Sequence, residues 1–157
     1  GVDVSDELLK AGSPLPLPPD LTDLPCEPSA VGSLDALAAD CRRLILIVSS
    51  QPMMATRFRE TLVDFALRFR AKDYDAAVAA VSRVPPSGYR KLARKGGVSF
   101  NLVSDETSSW LSRLPCDAGG EPCAYLVDVP SKTILASFRQ QPLLARVTER
   151  LLKLAAE

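Results

Sequence analysis

The sequence contains no histidine, no C-x-x-C pair and no long apolar run. The first absence leaves a structural zinc site to the four cysteines, Cys26, Cys41, Cys116 and Cys123, which lack the paired spacing of such ligands. Four cysteines in 157 residues are too sparse for a disulfide scaffold, so a reducing compartment is expected. The longest apolar run, Leu44 to Val48, has the length of a strand and not of a membrane span. Aromatic residues make up only 6% of the chain, too few to interleave with its bases, and no known nucleic-acid motif occurs. Gly96-Gly97 lacks the spacing of a phosphate loop and reads as a helix stop. No internal repeat is visible, and no metal or other cofactor is expected.

What is present suits one domain, large enough to bury a core without metals or disulfides. The net charge is zero but unevenly spread. Residues 1–40 hold eight acids and one base, and residues 41–157 hold eleven acids and eighteen bases. Six of the thirteen prolines fall within residues 11–30. Proline fixes its own φ and restrains the residue before it, so this stretch is expected to be extended. Residues 1–32 therefore read as an acidic, proline-rich arm and residues 33–157 as the folded domain. The arm has two readings: it lies on its own body, or it lies along a partner. A short helix over Asp3–Lys10 is expected before it. The first residue is Gly, as leader processing or an expression remnant would leave it.

Ser33 offers an N-cap to a weak helical turn. Leu44–Val48 is apolar at every position, as in a strand covered on both faces of a parallel sheet. From Thr56 to Ala71, Phe58, Leu62, Phe65 and Phe69 recur at helical spacing, with Arg57, Thr61, Asp64 and Arg68 opposite. Ala76–Val84 reads as a second buried strand. Ser87 can cap a short helix that Gly96-Gly97 stops. Ser99–Ser104 reads as a short strand, and Asp105 as the cap of a helix through Trp110 and Leu111, with Trp110 in the core. Cys123–Val127 and Thr133–Phe138 form a hairpin around a turn at 129–132. Pro142 starts a last helix whose buried face is Leu144, Val147, Leu151 and Leu154. Alternating strands and helices followed by a hairpin make a mixed α/β sheet with helices on both faces.

Three stretches carry a family resemblance. They are Ala79–Ser82 through Gly88–Ala93, Val98–Asp105, and Ala124-Tyr125-Leu126-Val127-Asp128 leading into the hairpin. From about Leu44 to Ala156 the chain resembles peroxiredoxins of the alkyl hydroperoxide reductase/thiol-specific antioxidant family, most of all the bacterioferritin-comigratory type. The resemblance implies a thioredoxin-like fold. It also implies a chemistry in which a thiolate in the first turn of a helix attacks a peroxide. A threonine and a later arginine position the peroxide. The motif P-x-x-x-T-x-x-C-x-x-E falls on Ser50, Met54, Arg57 and Glu60, of which only Glu60 matches. The later arginine falls on Pro122, or a one-residue slip makes Pro122 the cis-proline of ordinary thioredoxins. Arginine stays protonated and cannot be the nucleophile. Met54 has no proton to donate. On this alignment the usual peroxidase mechanism is excluded, and no cysteine between Cys41 and Cys116 rescues it.

Other residues carry two readings each. Cys26 and Cys41 are reactive thiols or small buried residues. Cys116 and Cys123 flank a loop with two glycines and are a disulfide or two free thiols. Arg42-Arg43, Arg57/Arg59, Arg68/Arg70/Lys72 and Arg90/Lys91/Arg94/Lys95 are nucleic-acid or membrane contacts, or solvated faces. Met53-Met54 is an adaptable contact surface or part of the core. The sequence therefore points to a soluble, non-catalytic, peroxiredoxin-like structural or interaction module. The expected setting is an accessory subunit of a larger assembly contacted through the arm. That assembly is organellar (plastid or mitochondrial, a photosynthetic complex among the options) or cytoplasmic. The alternatives are a divergent thiol-dependent antioxidant or redox protein using Cys26, Cys41 or Cys116/Cys123, and a basic-surface nucleic-acid binder.

Overall fold

A computed structural model describes residues 7–117 and 119–157. Six strands form one mixed sheet: β1 (Cys26–Glu27), β2 (Arg43–Val48), β3 (Ala76–Ser82), β4 (Asn101–Ser104), β5 (Cys123–Asp128) and β6 (Thr133–Phe138). Their spatial order is β1-β4-β3-β2-β5-β6. β2 runs parallel to β3, and β3 to β4, while β5 pairs antiparallel with β2 and β6. The helices are α1 (Leu34–Leu37), α2 (Thr56–Arg68), α3 (Pro86–Gly96) and α4 (Leu143–Ala155). This is the mixed α/β arrangement expected from the sequence.

Side chains alternate across a strand, and both faces of this sheet are buried. Ile45 and Ile47 face one core with Phe58, Leu62 and Phe65 of α2, Tyr89 and Leu92 of α3, and Leu144, Val147 and Leu151 of α4. Leu44, Leu46 and Val48 face the other, with Val103, Tyr125 and Trp110. The three long helices thus share one face. The arm, with α1 and the Trp110 turn, covers the second.

The arm crosses the whole sheet. Near its start, Gly12 N–H donates to the Ile134 carbonyl (2.7 Å) and Leu15 N–H to the Lys132 carbonyl (2.8 Å), beside β6. Near its end, β1 pairs antiparallel with β4 at the opposite edge. Between them, Leu15, Leu21 and Leu24 are buried in the same core as β2 and Trp110. The Trp110 indole N–H donates to the Pro16 carbonyl (2.7 Å). Proline keeps the segment extended, and its leucines supply the contact, each buried side chain being worth roughly 1.5–3 kcal/mol against exposure. Of the arm's two readings, the described residues follow the one in which it lies on its own body. Packing does not divide at residue 32. Of the helix expected over Asp3–Lys10, residues 3–6 lie outside the described residues and 7–10 are not helical.

Four local expectations change. Thr61 is buried, not on the solvent stripe of α2. Its hydroxyl donates to the Arg57 carbonyl and accepts from Gln141 Nε2, both at 2.9 Å, which ties α2 to the start of α4. α2 ends at Arg68, where Phe69 turns extended and stacks on Tyr74 with ring centroids 5.6 Å apart. α3 starts at Pro86, so Ser87 lies inside it, and Gly97 in the left-handed region (φ 68°) stops it. Asp105 caps no α-helix. Its buried carboxylate instead accepts from the backbone N–H groups of Ser109, Trp110 and Leu111, and only a 3-10 turn, Leu111–Arg113, follows.

Candidate functional site at the end of β2

β2 lies at the centre of the sheet, and its apolar run ends at Val48. Ser49, Ser50 and the loop through Met54 lead to α2, which starts at Thr56. Arg57 is therefore in the first turn of that helix, where α2 has no side-chain cap. Its Nε lies 3.6 Å from Glu121 Oε2, with the two side chains 53% and 45% exposed. Glu121 precedes Pro122, which is buried, and β5. The cis peptide bonds of the described residues precede Pro28 and Pro142. The bond before Pro122 is trans, which removes the cis-proline reading of that residue.

Met54 is half-buried and Met53 is 75% exposed, so the two methionines separate into one of each reading. Met54 lines a cavity of about 430 Å³ between α2 and α3, with Arg59, Val63, Lys91 and Lys95. Glu60 points to solvent on α2.

Cys116 and Cys123 come together at the same strand end. The antiparallel register sets Cys123 opposite Val48. The Cys116 thiol donates to the Val48 carbonyl at 3.3 Å, and the Cys123 thiol to the Pro115 carbonyl at 3.7 Å. The two thiols also interact with each other, which holds the Cys116 pKa below and the Cys123 pKa well above the ordinary thiol value. Backbone hydrogen bonds at Asp117, Ser50 and Cys123 favour the Cys116 thiolate further, while burial reinforces the rise at Cys123. Cys116 is half-buried and Cys123 fully buried, and both are free thiols. The Cys116 sulfur lies 4.0 Å from the Glu121 carbonyl oxygen, so Glu121 borders both the thiols and Arg57.

The other two cysteines stand apart in the fold. Cys26 is buried in the edge strand β1, and burial pushes its pKa up to about 11. Cys41 precedes β2, at the end of that strand opposite Val48, and burial raises its pKa too. Among the described residues, no cluster of His, Cys, Asp or Glu could hold a metal ion. The basic clusters are largely solvent-facing; Arg68 pairs with Asp64 and Arg90 with Glu27. Glu121 and Gln51, which packs against Gly120, were missed by sequence reasoning. An acid next to the arginine slot was the available signal for Glu121.

The sequence matches no protein-family model and no curated protein. Solved structures do match. A PrxQ mutant from Xylella fastidiosa is 20% identical with a TM-score of 0.70, over 94% of this chain and 98% of that one. Peroxiredoxin Q of Xanthomonas campestris is 19% identical with a TM-score of 0.71, over 94% and 98%. Peroxidoxin BcpB from Mycobacterium tuberculosis is 14% identical with a TM-score of 0.72, over 96% and 98%. No helix among the described residues is long and apolar enough to cross a membrane. At these identities the likeness is one of fold, and the chain has the thioredoxin-like fold of the peroxiredoxin type.

Proposed function

We propose that this protein uses a peroxiredoxin scaffold without peroxide chemistry at the usual helix position, and works as an interaction module within a larger assembly. The observation that carries this is Arg57. A guanidinium occupies the first turn of α2, where the resemblance calls for a thiolate, and it is ion-paired with Glu121. Met54 and Pro122 fill two further slots with side chains that cannot donate a hydrogen bond to a peroxide.

The arm's leucines are used internally, so the proposed contact surface is the groove between α2 and α3. Its floor is Met54, Val63 and Leu92, and its rim is Arg59, Lys91 and Lys95. None of these three cations takes part in an ion pair among the described residues. Charge complementarity selects an acidic protein segment bearing aliphatic side chains. Native size fractionation, following this chain, tests the reading. Migration well above 16.9 kDa that the triple variant Arg59→Glu/Lys91→Glu/Lys95→Glu abolishes is expected. Migration as a free monomer sinks it, and a nuclease-sensitive shift points instead to nucleic acid.

Thiol-dependent redox chemistry is a second reading. The meeting of Cys116 and Cys123 at the Val48 end of β2 favours it.

A further inference from the structure

The cysteine pair has the asymmetry that thiol–disulfide exchange needs. An attacking thiol must be accessible and partly ionised, and a resolving thiol must wait close by in its protonated form. Cys116 is half-buried and donates to the carbonyl of Val48, the residue that pairs with Cys123 across the β2–β5 ladder, while the Cys123 thiol reaches the Pro115 carbonyl next to Cys116. Cys123 is held in place by the β2–β5 ladder. Between them, Gly120 has φ 89° and lies against the Gln51 side chain, where an added Cβ would stand 3.3 Å from Gln51 Nε2. A side chain at residue 120 would be strained there, so glycine lets the chain pass close to Gln51 just before Cys123.

We propose that Cys116 and Cys123 form a reversible dithiol–disulfide pair that exchanges with organic disulfides, Cys116 attacking and Cys123 resolving. This rests on the thiol-dependent reading of the strand end. The Cys116 thiolate attacks one sulfur of RSSR. The S–S bond breaks, a mixed disulfide forms at Cys116, and the first RS⁻ leaves and takes up a proton. The Cys123 thiol then loses its proton and attacks the Cys116 sulfur. The second RS⁻ leaves and is protonated. Two protein thiols are oxidised to one disulfide, and RSSR is reduced to two RSH. Glu121 lies between the two cysteines in the chain, so oxidation also restrains the residue that pairs with Arg57.

The test uses the full, reduced chain with glutathione disulfide. Quenching with an alkylating agent and mass spectrometry of the digest read the outcome. The expected result is two alkylations fewer than the reduced protein gives once unfolded, a linked peptide pairing Cys116 with Cys123, and Cys26 and Cys41 still free. Cys123→Ser should trap a stable glutathione adduct on Cys116. Cys116→Ser should slow exchange at least tenfold. Four alkylatable thiols in excess glutathione disulfide, links through Cys26 or Cys41, or exchange undiminished in Cys116→Ser would each overturn the proposal. A hydroperoxide assay on the same samples separates the two ideas. Disulfide formation without peroxide consumption ends the antioxidant reading and leaves the exchange standing.

Discussion

The Arg57 guanidinium lies 3.6 Å from the Glu121 carboxylate, joining the first turn of α2 to the residues that lead into β5. Both side chains are about half exposed, so the pair contributes no more than about 1 kcal/mol to stability. Its consequence is steric and electrostatic occupation of the place where a helix N-terminus would otherwise favour a thiolate. Arg57→Cys therefore places a thiol in a favourable field but without partners. The variant is expected to gain a readily alkylated cysteine and to consume hydroperoxide no faster than a free thiol. Adding Met54→Thr supplies a hydroxyl and should raise the rate by up to about 100-fold, the scale of one such donor. Hydroperoxide consumption by Arg57→Cys alone at the rate of the double variant would show that Met54 is not the missing donor.

Asp105 is the most heavily bonded carboxylate among the described residues. One oxygen accepts from Ser109 N–H and the Ser109 hydroxyl, and the other from Trp110 N–H and Leu111 N–H. Removing it leaves buried donors without partners. Asp105→Ala should lower the unfolding free energy by about 3 kcal/mol, since bonds to a charged acceptor are worth roughly 1.5–3 kcal/mol each and do not add fully. Asp105→Asn should cost a smaller part of this, because its oxygen can keep the Trp110 and Leu111 N–H groups while its NH₂ still faces the Ser109 N–H. Urea midpoints measure both, and an Asn variant as stable as the parent chain would contradict the bonding pattern.

How much of this was legible in the sequence follows from range. β2, β3 and the β5–β6 hairpin announce themselves through continuous apolar runs and a turn, and α2 and α4 through spacing of three and four. Each is a local signal. The arm's docking is not, because Leu15, Leu21 and Leu24 have no strand or helix period, and β1 is only two residues long. The Arg57–Glu121 pair and the meeting of Cys116 with Val48 depend on the β2–β5 register, which no local pattern encodes. Thr61 was misplaced because periodicity assigns a helix face without knowing that Gln141 packs against it.

Trp110 gives a direct readout of the arm. It is the single tryptophan, fully buried, and its indole N–H is bonded to the arm at Pro16. Leu24→Ala removes a buried side chain from the arm's contact and should cost about 2–3 kcal/mol. Leu15→Asp should release the arm's first half. Trp110 emission is then expected to move to longer wavelength while the far-UV circular dichroism of the sheet and helices persists. Unchanged emission in Leu15→Asp would mean that the Trp110 site is closed without the arm.

Alkaline pH should unfold this protein earlier than acid-neutral conditions suggest. Burial pushes Cys26 up to about 11 and raises Cys41, Tyr89 and Tyr125, and Cys123 is raised chiefly by its interaction with Cys116. Each of these groups holds its proton longer in the folded chain than in the unfolded one. Their contribution to stability is therefore complete below the unfolded value, near pH 9 for the thiols, and is lost as pH climbs through the folded values. Cys116, whose pKa is lowered, works in the opposite direction, one group against five. A proton retained only by the folded state costs about 1.4 kcal/mol per pH unit in this window. The urea midpoint should hold from pH 7 to about 8.5 and fall steeply between about 9 and 11. Cys26→Ala, which removes one of the five, should flatten that fall. A midpoint that stays level to pH 11 would mean that these side chains reach solvent far more readily than their burial in β1, α3 and β5 allows.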